Sequence, residues 1–226
     1  MHVALIQYTP EPENVVAAAA RLCYSSDPVP DLLERLDQET VGKFVRKLRD
    51  MGHLSPFEHA SFQFSIDGVS RALSHQLVRH RIASYSQRSQ RYVKENGFEF
   101  VTPLSIGRDP EALVRFEAVM ARLQEDYQQL LNCVPAEDAR YVLPNACTTS
   151  LMATFNARSL LNFFEHRTCT RAQWEIRALA EKMLELVREA APNLFSEAGP
   201  TCMTQGVCRQ GVYSCGRLKT LEGKKT

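Results

Sequence analysis

Between Gln76 and Tyr92 the chain reads QLVRHRIASYSQRSQRY, its densest run of groups able to do chemistry. Arg79, Arg81, Arg88 and Arg91 offer planar guanidiniums, whose forked donors match phosphate oxygens. Ser84, Ser86, Gln87, Ser89 and Gln90 add the short donors from which a loop can wrap an oxyanion. From Gly68 to Lys94 there is no Asp or Glu, and arginines outnumber lysine five to one. Such a segment is read either as a solvated face with structural ion pairs or as a site for an anion. The lack of acids nearby in sequence favours the anion. Only Tyr85 and Tyr92 are available to stack on bases, so small phosphorylated ligands are expected in preference to a nucleic-acid backbone. If the segment is helical, Gln76, Arg79 and His80 share a face while Arg79 and Arg81 point apart. If the part beyond it is extended, Ser89 and Arg91 point the same way.

The elements that must hold these groups follow from composition and periodicity. Among 226 residues, 27 are Lys or Arg, 26 are Asp or Glu and 44% are hydrophobic, a balance that excludes disorder and collagen-like order. The longest uncharged stretch, Tyr141 to Ala157, contains Pro144 and Asn145 and falls short of the about 20 apolar residues of a bilayer span. No membrane partner is expected. The start MHVALIQYTPEPE does not look like a secretory signal, and seven Cys make a poor disulfide framework, so a cytoplasmic location is expected.

Periodicity predicts a strand at His2 to Tyr8, a helix from Glu13 to Cys23, and one or two helices from Leu32 to Met51 stopped by Gly52. Phe62, Phe64 and Ile66 alternate with polar residues as in a half-buried strand. Val69 to Arg81 reads as helix, Phe98 to Pro103 as a short strand, and Asp109-Pro110-Glu111 as the capped start of a helix running to Cys133. Pro135 opens a short helix through Ala139 and Arg140. ACTTSLMATFN should be extended. Asn156 is placed to cap ARSLLNFFEH, and Thr170 with Gln173 forms a capping-box pattern before a helix to Ala190 that Pro192 ends. The expected fold is α+β, a single domain with a small, mostly antiparallel sheet packed against several helices. Residues 1–199 form the domain and 200–226 a Cys- and Gly-containing tail.

The arrangement Arg79-His80-Arg81, then Ser89 and Arg91, resembles the signature of the flavin-dependent thymidylate synthases. The likeness extends through GHLSPFEHASFQF (Gly52 to Phe64), ARYVLPNA (Ala139 to Ala146), NARSLLNFFEHR (Asn156 to Arg167) and AQWEI (Ala172 to Ile176). What the resemblance implies is reductive methylation of dUMP to dTMP, with 5,10-methylenetetrahydrofolate as carbon donor, FAD as hydride carrier and NADPH as reductant. It implies that dUMP is bound by Gln76, Leu77, Val78 and Arg79, by Gln87, Arg88, Ser89, Gln90 and Arg91, and by Arg140 and Arg167. It places FAD against Ser55, Arg79, His80, Arg81, Gln87, Asn156, Ala157, Arg158 and Asn162, and His53 near flavin and folate. Arg167 becomes the catalytic group, stabilising the ionised N3 side of the pyrimidine. Many members have Glu where this chain has Gln87. The resemblance also implies a homotetramer whose active sites draw on several chains.

Physical chemistry agrees with those roles. Arg167 cannot readily lose its proton and is a poor base, but fixed positive charge at N3 and O4 drives electron density towards uracil C5. Asn156, Arg158 and Asn162 stand at a helix start, where amide groups and the dipole favour anions, although Asn156 is also a plain N-cap. No metal is expected in the site, because neither His53 and His59 nor His75 and His80 have metal-binding spacing. Cys133, Cys147 and Cys169 lack a neighbouring base and read as small buried hydrophobes. Cys202, Cys208 and Cys215 could approach one metal or iron–sulfur cluster or take part in redox chemistry, but their spacing is long and only three ligands are present, so a mobile, functionally silent tail is expected. Two rivals remain: a related flavin enzyme that leaves a hydroxymethyl group on the pyrimidine, and a basic nucleic-acid-binding module.

Overall fold

A computed structural model describes residues 1–93 and 97–218. Lys94, counted above in the basic segment, lies outside the described residues. In chain order the elements are β1 (His2–Tyr8), α1 (Pro12–Leu22), α2 (Val29–Glu34), α3 (Gln38–Asp50), a 3₁₀ turn at Ser55–His59, β2 (Ser61–Ser70), α4 (Arg71–Leu77) and β3 (Ser84–Gln87). Then come α5 (Leu104–Gly107), α6 (Pro110–Leu131), α7 (Ala136–Ala139), a 3₁₀ turn at Arg140–Val142, β4 (Thr148–Asn156), α8 (Ala157–Arg167), α9 (Trp174–Ala190), α10 (Pro192–Phe195), α11 (Thr201–Thr204) and a 3₁₀ turn at Gly211–Tyr213. The class is α+β, with one antiparallel sheet in the order β1-β2-β4-β3. Among the described residues no helix is long and apolar enough to cross a membrane.

The chain packs as two compact units. The first comprises Met1–His2, Ser65–Arg79 and the described part of Tyr85–Met152. Its helix α6 starts where Asp109 accepts hydrogen bonds from the Glu111 and Ala112 amides at 3.0 and 3.2 Å, with Pro110 in the first turn. Met120 packs on Phe98 and Cys147, with Phe100, Phe116 and Leu123 around them. The Arg71 and Ala72 amides donate to the Cys147 and Asn145 carbonyls, which ties the start of α4 to the approach to β4.

The second unit contains Val3–Phe64, His80–Ser84 and the described residues from Ala153 onward. Its aromatic core stacks edge to face, Phe62 on Phe195 at 5.3 Å and Phe164 on Phe195 at 6.0 Å between centroids. Glu13 of α1 accepts from the Asn193 and Leu194 amides, pinning α10 by its otherwise unpaired N–H groups. Helix α3 ends in a Schellman motif: Gly52 takes φ 74°, its amide donates to Arg49, and the His53 amide donates to Leu48 at 2.8 Å. That closure fixes the backbone at His53.

Several expectations need correction. Val69 and Ser70 belong to β2, and α4 stops at Leu77, so Arg79 and His80 do not stand on the same helix as Gln76. Ser84 to Gln87 is a strand, whereas Ser89 to Arg91 is a turn in which the Arg91 amide donates to Ser89 Oγ at 3.2 Å. Phe98 to Pro103 makes only an isolated bridge, Phe100 with Cys147. Helix α9 is capped by Gln173 itself, through the Glu175 and Ile176 amides, and not by Thr170. Of the three cysteines read as buried, Cys147 is buried, Cys169 half-buried and Cys133 exposed.

Candidate active site

In the first unit, the turn after β3 brings Arg91 to α7. Its Nε and a terminal nitrogen both lie 3.0 Å from Glu137 Oε2, while Arg140 Nε donates to the Glu137 carbonyl at 3.0 Å. Two of the expected dUMP ligands, from segments about fifty residues apart, therefore meet on one residue that sequence reasoning missed, Arg91 on its carboxylate and Arg140 on its main-chain carbonyl. Both partners of the Arg91–Glu137 pair are about half exposed, at 50% and 48%, so the pair is weak and a phosphate can compete with the carboxylate.

Gln87 spends its amide hydrogens inside the unit, donating to Ser74 Oγ at 3.0 Å and Thr149 Oγ1 at 3.2 Å. A glutamate there would have to accept from those hydroxyls instead. Arg88 is fixed through its backbone, its amide donating to the Ser150 carbonyl at 2.9 Å, and its side chain is exposed. Gln90 is buried, with Nε2 3.7 Å from Cys147 Sγ. Gln76 Nε2 returns to the Ala72 carbonyl at 3.4 Å. Leu77 is buried, while Val78 and Arg79 are exposed just past the helix end, with Arg79 beside His75 at 3.5 Å. The end of α4 is set by Tyr85, whose hydroxyl donates to the Leu77 carbonyl at 3.0 Å.

In the second unit His80 turns inward. Its ring lies 5.6 Å from those of both Phe155 and Phe163, and its Nε2 is 2.8 Å from Ser159 Oγ. Ser159 donates its own hydrogen to the Ile82 carbonyl, so His80 must supply the proton of the shared bond and carries it on Nε2. Burial holds the His80 pKa below the ordinary 6.5, a hydrogen bond to the Ser159 backbone opposes that shift, and the positive charges of Arg167 and His166 reinforce it. Its side chain is thus committed to the core, while neighbouring Arg81 is exposed.

Asn156 caps α8 as expected, Oδ1 accepting from the Ser159 amide at 2.8 Å. Ala157 is buried beneath the first turn, and Arg158 reaches out to Glu58 at 2.6 Å. That pair too is about half exposed, at 52% and 48%. Ser55 opens the 3₁₀ turn that carries Glu58, and Ser55, His53 and Asn162 are all exposed. Asn162's carbonyl is 2.8 Å from His166 Nδ1. Arg167 closes the last turn of α8, within electrostatic reach of His80. Glu58, Glu137 and Ser159 were hidden from sequence reasoning because each acts on a partner 46 to 100 residues away.

Each unit thus gathers polar, largely cationic groups on short turns at the ends of helices and strands. The sequence comparisons point the same way. A family model described as thymidylate synthase complementing protein matches residues 4–193. The flavin-dependent thymidylate synthase of Geobacter sulfurreducens is 52% identical over 220 residues, covering 96% of this chain and 94% of that protein. That of Clostridium tetani is 49% identical over 237 residues, covering 97% and 95%. The one from Pyrococcus furiosus is 42% identical over 217 residues, covering 92% and 89%. With a family model spanning most of its length and relatives this similar end to end, the chain belongs to the family of flavin-dependent thymidylate synthases.

Proposed function

We infer that the chain converts dUMP to dTMP by reductive methylation, with 5,10-methylenetetrahydrofolate as the carbon donor, FAD as the flavin and NADPH as the reductant. The observation that carries this reading is the convergence of Arg91 and Arg140 on Glu137. One guanidinium on a weak, exposed carboxylate and a second held beside it by the main-chain carbonyl of the same residue suit a phosphate dianion that arrives with its own charge.

The residues fit the group each is assigned. Ser55, Arg81, Arg158 and Asn162 are exposed donors, and two of them are cations, as a pyrophosphate-bearing cofactor requires. Bound FAD would supply hydride chemistry that protein side chains lack. Arg91, Ser89 and Arg140 would hold the phosphate of dUMP, with Gln76 to Arg79 and Gln87 to Gln90 lining the nucleoside. Gln87, its NH₂ engaged by Ser74 and Thr149, would present its carbonyl oxygen as an acceptor. Arg167 would stabilise negative charge at N3 and O4 of the pyrimidine, and it takes no proton. His80 would serve by holding the backbone between Arg79 and Arg81, its ring being occupied by Ser159. His53, on the closure of α3, would stand near flavin and folate. Residues 1–199 are assigned to this catalytic domain and 200–226 to a tail, and the working enzyme is proposed to be a homotetramer with shared sites.

The test is product analysis by mass spectrometry after incubating the purified chain with FAD, dUMP, NADPH and folate labelled in its one-carbon unit. The expected product is dTMP carrying the label on its methyl group. A labelled hydroxymethyl nucleotide, or no labelled nucleotide with flavin and all substrates present, overturns the reading.

A further inference from the structure

Four of the seven cysteines, all reduced, come from two distant stretches of sequence and lie near one corner of the second unit, within electrostatic reach of Cys202. Cys169 lies in the turn between α8 and α9, Cys202 stands on α11, and Cys208 and Cys215 follow it. Three contacts lay the tail across that turn. Arg209 reaches Glu165 of α8 at 3.3 Å, the Arg171 guanidinium covers the Tyr213 ring at 5.6 Å, and the Thr170 side chain is hydrogen-bonded to the Cys215 sulfur. Cys208 Sγ lies 3.4 Å from Ser214 Oγ, beside Cys215. Cys202 is within electrostatic reach of Cys169, Cys208 and Cys215. The tail alone offers three thiols; the fold adds the fourth.

We propose that Cys169, Cys202, Cys208 and Cys215 bind one Zn²⁺ as a structural tetrathiolate site that fastens the tail to the turn between α8 and α9. Four soft donors match the closed, tetrahedral coordination of structural zinc, with Zn–S distances of about 2.3 Å. None of the four belongs to the buried core, where a cysteine serves only as a small hydrophobe. Loss of one proton from each thiol turns Zn²⁺ and four Cys–SH into a tetrathiolate of net charge −2 and four released protons, with no change of oxidation state. Arg171 and Arg209 stand on the same contacts, and Arg217 lies within electrostatic reach of Cys202 and Cys215, so positive charge is in place to offset it. Thr170, already on the Cys215 sulfur, supplies an outer hydrogen bond of the kind that orients a ligand.

Among the described residues no group of three or more His, Cys, Asp or Glu side chains is already placed to hold a metal ion. Zinc therefore has to draw the thiols inward. The tail permits this, since between α11 and Cys215 it has only turns and one 3₁₀ turn, and Gly206 and Gly211 take φ of 65° and 52°.

The proposal does not depend on the reaction assigned above, and its test reads metal, not turnover. The full chain, without a histidine tag and kept reduced, is given zinc sulfate, desalted and assayed by elemental mass spectrometry. The expected content is about one zinc per chain. Cobalt exchange is expected to give the thiolate charge-transfer and intense d–d bands of a tetrahedral sulfur site. C169S, C202S, C208S and C215S are each expected to lose the metal, while C23S keeps it. Cys215 is exposed and Cys208 half-buried, so C208S and C215S should keep the wild-type far-UV circular dichroism; if any variant does not fold, the zinc content and cobalt spectrum of the wild type decide. Wild type that retains no zinc, zinc retained equally by C208S and C215S, iron in its place, or a mass two hydrogens lighter from a disulfide between these cysteines each overturns the proposal.

Discussion

The Nε2 of His80 and the Oγ of Ser159 stand 2.8 Å apart, and Ser159 passes its own hydrogen on to the Ile82 carbonyl. The central residue of the Arg79-His80-Arg81 sequence is thereby wedged between Phe155 and Phe163, and its neighbours on either side are left exposed. Burial favours the neutral ring, so the folded pKa lies below the 6.5 of the unfolded chain. Between those two values the unfolded state binds more protons, and stability rises with pH. The contribution is complete above 6.5 and is lost as pH falls towards the folded value. Denaturant melts of wild type and His80→Asn at a series of pH values are expected to show a shallower acid loss in the variant. Ser159→Ala, which takes away the acceptor of His80 and the donor to Ile82, should cost about 1–3 kcal/mol at neutral pH.

Arg91 presents a different balance, because its partner Glu137 is half exposed and holds it by roughly 0.2–1 kcal/mol. A charge-assisted bond to phosphate contributes about 1.5–3 kcal/mol. Arg91→Ala is therefore expected to raise the dUMP dissociation constant by roughly ten- to a hundredfold, with little change in melting temperature. Titration calorimetry checks the first part and a thermal melt the second. An unchanged dissociation constant would remove Arg91 from the phosphate site.

How much of this could be read beforehand depended on the range of the interaction. Asp109, Asn156 and the alternation of Phe62, Phe64 and Ile66 act over three residues or fewer, and each did what its spacing implied. The length of α4 did not follow, because its last carbonyl is taken by Tyr85, eight residues on and past a change of direction. The pairing of β3 with β4 turned a loop reading into a strand through partners about sixty residues away. The site divides along the same line. Its arginines were legible as a cluster, whereas Glu58, Glu137 and Ser159, which decide where those segments rest, were not. Cys169 looked like packing until the tail was seen against it.

Gln173 is where a local rule chose the wrong residue, and the outcome is measurable. Its side chain accepts from two first-turn amides of α9, at 3.0 and 3.1 Å, in the place where Thr170 was expected to act. Gln173→Ala should cost about 0.5–2 kcal/mol, and each kcal/mol lowers the melting temperature of a chain this size by about 2–4 °C. Thr170→Val, which keeps the volume and removes the hydroxyl, should leave the stability of α9 unchanged. A greater loss from Thr170→Val than from Gln173→Ala in metal-free thermal melts would restore the capping-box reading.

Arg167 gives the sharpest test of the proposed chemistry. It ends α8 with its charge near His80, and that neighbour stays neutral, so no second cation on the ring competes for the same anion. Its proposed task is to stabilise charge that grows at N3 and O4 only as uracil C5 attacks, which is stabilisation of the transition state more than of the bound substrate. Arg167→Ala should then retain flavin and bind dUMP with a modest loss, while kcat for dTMP formation falls by about 10²–10³. Arg167→Lys keeps the charge but not the planar fork, and is expected to recover only part of that loss. Steady-state kinetics, with flavin content measured on the same preparations, separates the two effects. If dTMP forms at near wild-type rate in Arg167→Ala, activation of the pyrimidine belongs to another residue.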